Sequence, residues 1–208
     1  GQLRRLGLDM GAGGPERVHR FQVEVFEDVQ HQDGGRPLPV WRMLDQLGSL
    51  VVATDRVSVV TGDAGKILKR MGSAQRLQRR DVAVVDLAVI HCTELPDLAM
   101  ARVYGGKVLY ESSGTGNSGH YYVDRDGAIH EYVDPARIAH HTRGYNPRSI
   151  GIELVNTGRY PDWLDSRQQA MDEAYTDAQI EALIALLGEL HARIPSITLI
   201  AGHEDLDL

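Results

Sequence analysis

Val82-Ala83-Val84-Val85-Asp86-Leu87-Ala88-Val89-Ile90-His91-Cys92-Thr93 is a short, β-branched apolar run that ends on a histidine. A run of this length reads as a buried strand. A second run of the same kind, Ile197-Thr198-Leu199-Ile200-Ala201-Gly202-His203, also ends on a histidine. Two imidazoles delivered at strand ends, from distant parts of the chain, supply two of the three protein ligands that a catalytic zinc site needs.

Working outward from His91, Pro96–Tyr104 reads as a helix with proline in its first turn. The segments 120–123 and 128–133 flank Asp124-Arg125-Asp126-Gly127, whose Asp-Gly step signals a hairpin. Residues 149–155 give a further strand. Thr176 and Gln179 form a capping box ahead of a long helix whose apolar stripe is Ile180, Leu183, Ile184, Leu187 and Ile194. Strand, helix, hairpin, strand, helix, strand predicts an α/β domain, with a mixed central β-sheet flanked by helices.

The 208 residues are 42% hydrophobic and 25% charged, an ordinary globular composition. No apolar stretch approaches the roughly 18 residues of a membrane span. Residues 1–80 carry a net +4 and residues 81–208 a net −11. The acidic part has no basic surface for phosphates, so no nucleic-acid partner is expected there. The expected domain organisation is 1–75, an N-terminal extension of unclear fold with disorder as the alternative, followed by 76–208 as the organised domain. Within the extension, Leu50–Ala53 and Val57–Val60 read as short strands. Gly62–Ile67 and Gly11–Pro15 are too degenerate for a phosphate loop.

Four ordered blocks carry a resemblance: Val89-Ile90-His91-Cys92-Thr93, the stretch from Gly119 to Gly127, the stretch His141-Thr142-Arg143-Gly144 through Ser149-Ile150-Gly151-Ile152-Glu153-Leu154 to Asn156, and Ala201-Gly202-His203-Glu204-Asp205. Over roughly residues 76–208 the chain resembles the zinc-dependent N-acetylmuramoyl-L-alanine amidases, the superfamily of phage-lysozyme amidases, bacterial anhydro-muropeptide amidases and animal peptidoglycan recognition proteins. The resemblance implies hydrolysis of the amide between N-acetylmuramic acid and L-alanine in peptidoglycan or muropeptides. The alternative is a muropeptide-binding module without catalysis, since the superfamily has members that kept the cleft and lost the metal.

The resemblance places Zn²⁺ on His91 and His203. Family members take a third ligand, Asp or Cys, some way after the second histidine; it is expected beyond Leu208, with Asp205 and Asp207 as nearby substitutes. Glu153 corresponds to the family's acidic residue on the central strand, a general base. His141, Asn146 and His120 are expected to bind substrate. Where the phage branch has a tyrosine ahead of the first hairpin strand this chain has Gly119, which favours the glutamate-using branch. Cys92, adjacent to His91 on a strand, points to the opposite face, so Cys-His hydrolysis is not expected and a small buried role is. The expected protein is a cytoplasmic monomer.

Overall fold

A computed structural model describes residues 4–10, 18–25, 51–53 and 76–206. Eight strands form one sheet: β1 (Arg4–Met10), β2 (Val18–Val25), β3 (Val51–Ala53), β4 (Leu87–Cys92), β5 (Tyr121–Val123), β6 (Ile129–Glu131), β7 (Ser149–Leu154) and β8 (Leu199–Gly202), in the order β3-β2-β1-β8-β4-β7-β5-β6. β8, β4, β7 and β5 run parallel, whereas β6 and the β1–β2–β3 ribbon are antiparallel to their neighbours. The sheet is therefore mixed, and among the described residues its α-helices are α1 (Leu98–Gly105) and α2 (Asp177–Arg193). Val51–Ala53 falls within the strand read at Leu50–Ala53; Val57–Val60, Gly62–Ile67 and Gly11–Pro15 lie outside the described residues.

The first apolar run divides. Asp81 accepts the Ala83 N–H at 3.0 Å and turns Val82–Val84 into a short 3-10 helix, so the strand begins only at Leu87. A local side-chain cap outcompetes the extended conformation that the β-branched residues favour. Pro96 likewise stands outside its helix. Asp97 is the N-cap of α1, accepting the Met100 N–H at 2.7 Å. The hairpin forms as read, with Gly127 at φ +84° in its turn. α2 carries the full capping box of Thr176 and Gln179.

Side-chain alternation then places the two faces. Ala88 and Ile90 of β4, Ile150, Ile152 and Leu154 of β7, and Ile200 of β8 pack with Leu183, Ile184 and Leu187 of α2 in the main core. Residues out of phase with these, His91 and Glu153 among them, belong to the other face, where α1, Leu95, Tyr122 and Tyr132 build a second cluster. Leu87, Val89, Ala201 and Leu206 form a third. The face opposite α2 is thus only partly covered, and the carboxyl ends of the central parallel strands open onto it. In open α/β sheets, ligands bind outside those strand ends.

Candidate active site

A cleft of about 820 Å³ lies over these strand ends, lined among others by His91, His141, Asn146, Glu153 and His203. That is the size of a pocket for a small ligand. His91 and Glu153 are direct register partners on β4 and β7, and His203 opens the short turn that follows β8. The rings of His91 and His203 are 4.6 Å apart, and those of His91 and His141 are 5.1 Å apart, edge-on.

The hydrogen bonds fix one tautomer. Ser149 Oγ donates to the Tyr145 carbonyl at 2.9 Å, so it accepts from His141 Nε2 at 3.2 Å. His141 Nδ1 then has a free lone pair, and it faces His91 Nε2 at 3.0 Å and Thr142 Oγ1 at 3.0 Å. Burial first, and the neighbouring imidazoles second, hold His91 well below the usual histidine range. His141 is held down by burial, then by His120, Arg80 and His203. Imidazole nitrogen is the donor chemistry a divalent zinc ion takes, and His91 and His203 stand together as two such donors; among the described residues no third side chain joins them as a ligand.

Glu153 is half-buried on the cleft floor, and burial pushes its carboxyl up to about 8. Two glycines make room for the floor. A Cβ at Gly119 would sit 2.6 Å from Glu153 Cγ, and one at Gly151 would sit 2.6 Å from His141 Cγ. Gly119, singled out because a tyrosine stands there in the phage branch, is thus the position whose space Glu153 fills.

The remaining residues singled out in the sequence have varied places. Asn146 lines the cleft, but its Oδ1 accepts the His141 N–H at 3.0 Å and the Thr142 N–H at 2.7 Å, stapling the His141 loop. His120 is fully buried beneath the cleft floor. The Gly151 N–H donates to its Nδ1 at 3.0 Å, and its Nε2 lies between the Arg80 guanidinium at 3.0 Å and the Arg137 carbonyl at 3.1 Å. Burial, then Arg80, pushes His120 down to about 3. It supports the ring of His141, 5.6 Å away, from below and presents nothing to a substrate. Asp205 accepts the Gly202 N–H at 3.2 Å, which ties its carboxylate to its own turn. Asp207 lies outside the described residues. Cys92 Sγ turns to Asn156 Oδ1 at 3.7 Å, and burial raises its thiol to about 12, which removes thiolate chemistry near neutrality.

Sequence reasoning passed over Arg80, whose guanidinium donates to the carbonyls of Pro135, Asn146 and Ser149 and anchors the His141 loop. It also passed over Tyr104 and Trp163 on the cleft wall. Arg79-Arg80 has no local signal, because the side-chain partners of Arg80 are 40 to 69 residues away.

A cleft at the carboxyl ends of parallel strands, floored by neutral imidazoles and one carboxyl, defines a hydrolase-type site in an α/β fold. The chain belongs to the N-acetylmuramoyl-L-alanine amidase family, whose model matches residues 80–207. It is 28% identical to the endolysin of Escherichia phage T7 over 130 residues, 62% of this chain and 82% of that protein. Among solved structures it is similar to the Ph2119 endolysin from Thermus scotoductus MAT2119 bacteriophage Ph2119 (22% identity, TM-score 0.47, 63% of this chain and 78% of that one). It is also similar to Apis mellifera PGRP-SA (13% identity, TM-score 0.48, 63% and 78%).

Proposed function

We propose that this chain is a zinc-dependent peptidoglycan amidase that cleaves the bond between the lactyl carbonyl of N-acetylmuramic acid and the amine of L-alanine. The observation that carries the reading is the register pair His91–Glu153, set beside His203 at the strand ends of one cleft, in a chain that belongs to the amidase family. His91 and His203 would hold the metal. A bound zinc ion supplies Lewis-acid polarisation of the amide carbonyl and makes a water acidic enough to attack near neutral pH.

The protein's own groups do the rest. Glu153, once ionised, would accept the proton of the attacking water and return it to the departing nitrogen, so that the amine leaves neutral. His141 stays neutral, with Nδ1 facing His91 Nε2 and Thr142 Oγ1, and so positions the His91 ring. The buried His120 ring, with the half-buried Arg80 beside it, packs edge-on behind the His141 ring.

The test is incubation of the zinc-loaded protein with a disaccharide-peptide muropeptide, with mass spectrometry of the products. Release of a peptide with a free L-alanine amine supports the reading. Binding with no release, and no zinc retained, would instead make the chain a muropeptide-binding module.

A further inference from the structure

Resting on the amidase reading, we propose that Trp163 and Tyr104 form a sugar-stacking shelf at one end of the cleft, so that the glycan lies there and the stem peptide extends toward Arg143. Both aromatic rings line the cleft, 6.1 Å apart and inclined at 68°, with Lys107 Nζ 3.5 Å over one face of Tyr104. Tyr160 braces Trp163 at 5.4 Å. The Trp163 ring is fixed in place: its Nε1–H donates to the Glu94 carbonyl oxygen at 3.0 Å. Arg159 clamps the Glu94 carboxylate with both arms of its guanidinium, Nε reaching Oε2 at 2.7 Å.

Glu94 itself sits at φ +49°, a left-handed conformation uncommon for a non-glycine residue. Gly158, at φ +54°, lets the segment pass so close that a Cβ there would lie 2.6 Å from Glu94 Cγ. The loop bearing Trp163 is thereby bolted to the end of the strand that carries His91.

The chemistry of the two ends differs. Sugar rings present C–H faces that stack on indole and phenol rings, which supply a large rigid contact with little entropy to lose. Arg143 is exposed on the loop whose Tyr145 packs in the Leu87–Val89 cluster, away from the α1 cluster that holds Trp163. No hydrogen bond or ion pair to a carboxylate is made by Arg143 among the described residues. A guanidinium of this kind suits the free carboxylates of a stem peptide. The scissile amide, at the junction of sugar and peptide, then falls over His91 and Glu153.

The experiment is titration calorimetry with two probes, the N-acetylglucosaminyl-N-acetylmuramic acid disaccharide and the free L-alanyl stem peptide. Trp163→Ala and Tyr104→Ala should each weaken the disaccharide about tenfold, the scale of one lost aromatic contact, and leave the peptide within about twofold. Arg143→Ala should do the reverse. Leu164→Ala, at a fully exposed neighbour in the same loop, should change neither. Tyr104→Ala removes an exposed ring and decides the matter alone should Trp163→Ala fail to fold. Unchanged disaccharide affinity in the aromatic variants, or a loss confined to the peptide, overturns the shelf. A wild-type protein that binds the disaccharide through Trp163 but cleaves nothing leaves the shelf standing and sinks the amidase reading. Cleavage that is indifferent to both aromatic variants does the opposite.

Discussion

Replacing Glu153 by Gln in the chelator-treated protein should flatten a specific part of its pH–stability profile. The carboxyl goes from 4.5 in the unfolded chain to about 8 in the fold, because burial disfavours its charged form. A raised pKa means that the stabilisation is fully present below pH 4.5 and is lost as pH rises through 8. A gap of about 3.5 at roughly 1.4 kcal/mol per pKa unit sets a ceiling near 5 kcal/mol, and partial solvent access lowers the expected value to about 3 kcal/mol. His91, His120 and His141, held below their usual range, act in the other direction, costing stability as pH falls through 6.5. They are present in both proteins, so the difference between wild type and Glu153→Gln isolates the carboxyl. Urea unfolding at steps from pH 5 to pH 9 in excess chelator measures it. The stability of Glu153→Gln relative to wild type should rise steadily across that range, by about 3 kcal/mol in total. A difference that stays flat between pH 5 and pH 8.5 would refute the burial argument.

Three further outcomes are expected. Gly151→Ala pushes a methyl group into the His141 ring, where the nearest atoms would stand 2.6–2.8 Å away; it should cost about 1–3 kcal/mol in thermal or urea melts and lower turnover through a displaced imidazole. Thr176→Ala removes the hydroxyl that caps α2 and should cost about 1 kcal/mol without altering KM, a split that separates scaffold from site. A chain starting near Ser73 should fold and retain the site, because the buried clusters described around it comprise residues 77–206; loss of soluble protein would show that pairing of β1 with β8 is needed to close the sheet.

What could be read in the sequence was local or periodic. The run into His91, the capping box at Thr176 and the Asp-Gly turn each carry their instruction within a few residues, and each formed. Val82–Val84 failed as a strand because a single aspartate one residue earlier offered the backbone a closer acceptor. Pro96 was placed one residue inside the helix whose cap is Asp97. β1 and β2, at Arg4–Met10 and Val18–Val25, carry mixed charged and apolar patterns; the Gly and Pro residues of 11–15 between them signal a turn, but the strand partners are each other, β3 and a strand nearly 200 positions on. In the site, motif residues were visible one by one, but burial was not. Nothing in the text near His120 says that it lies under the floor, since Arg80 and Gly151 come from elsewhere. Trp163 was invisible for the same reason, its mount being the backbone of Glu94, 69 residues away.

The central claim rests on one bond. Zinc-loaded protein and a defined muropeptide, followed by mass spectrometry with end-group labelling of new amines, report which bond is cut. The account predicts a single new amine on L-alanine and an intact glycan ending in a free lactyl carboxylate, with both products and the bound zinc lost in His91→Ala. Cleavage at a glycosidic bond or between two amino acids of the stem, or full activity in His91→Ala, would contradict it.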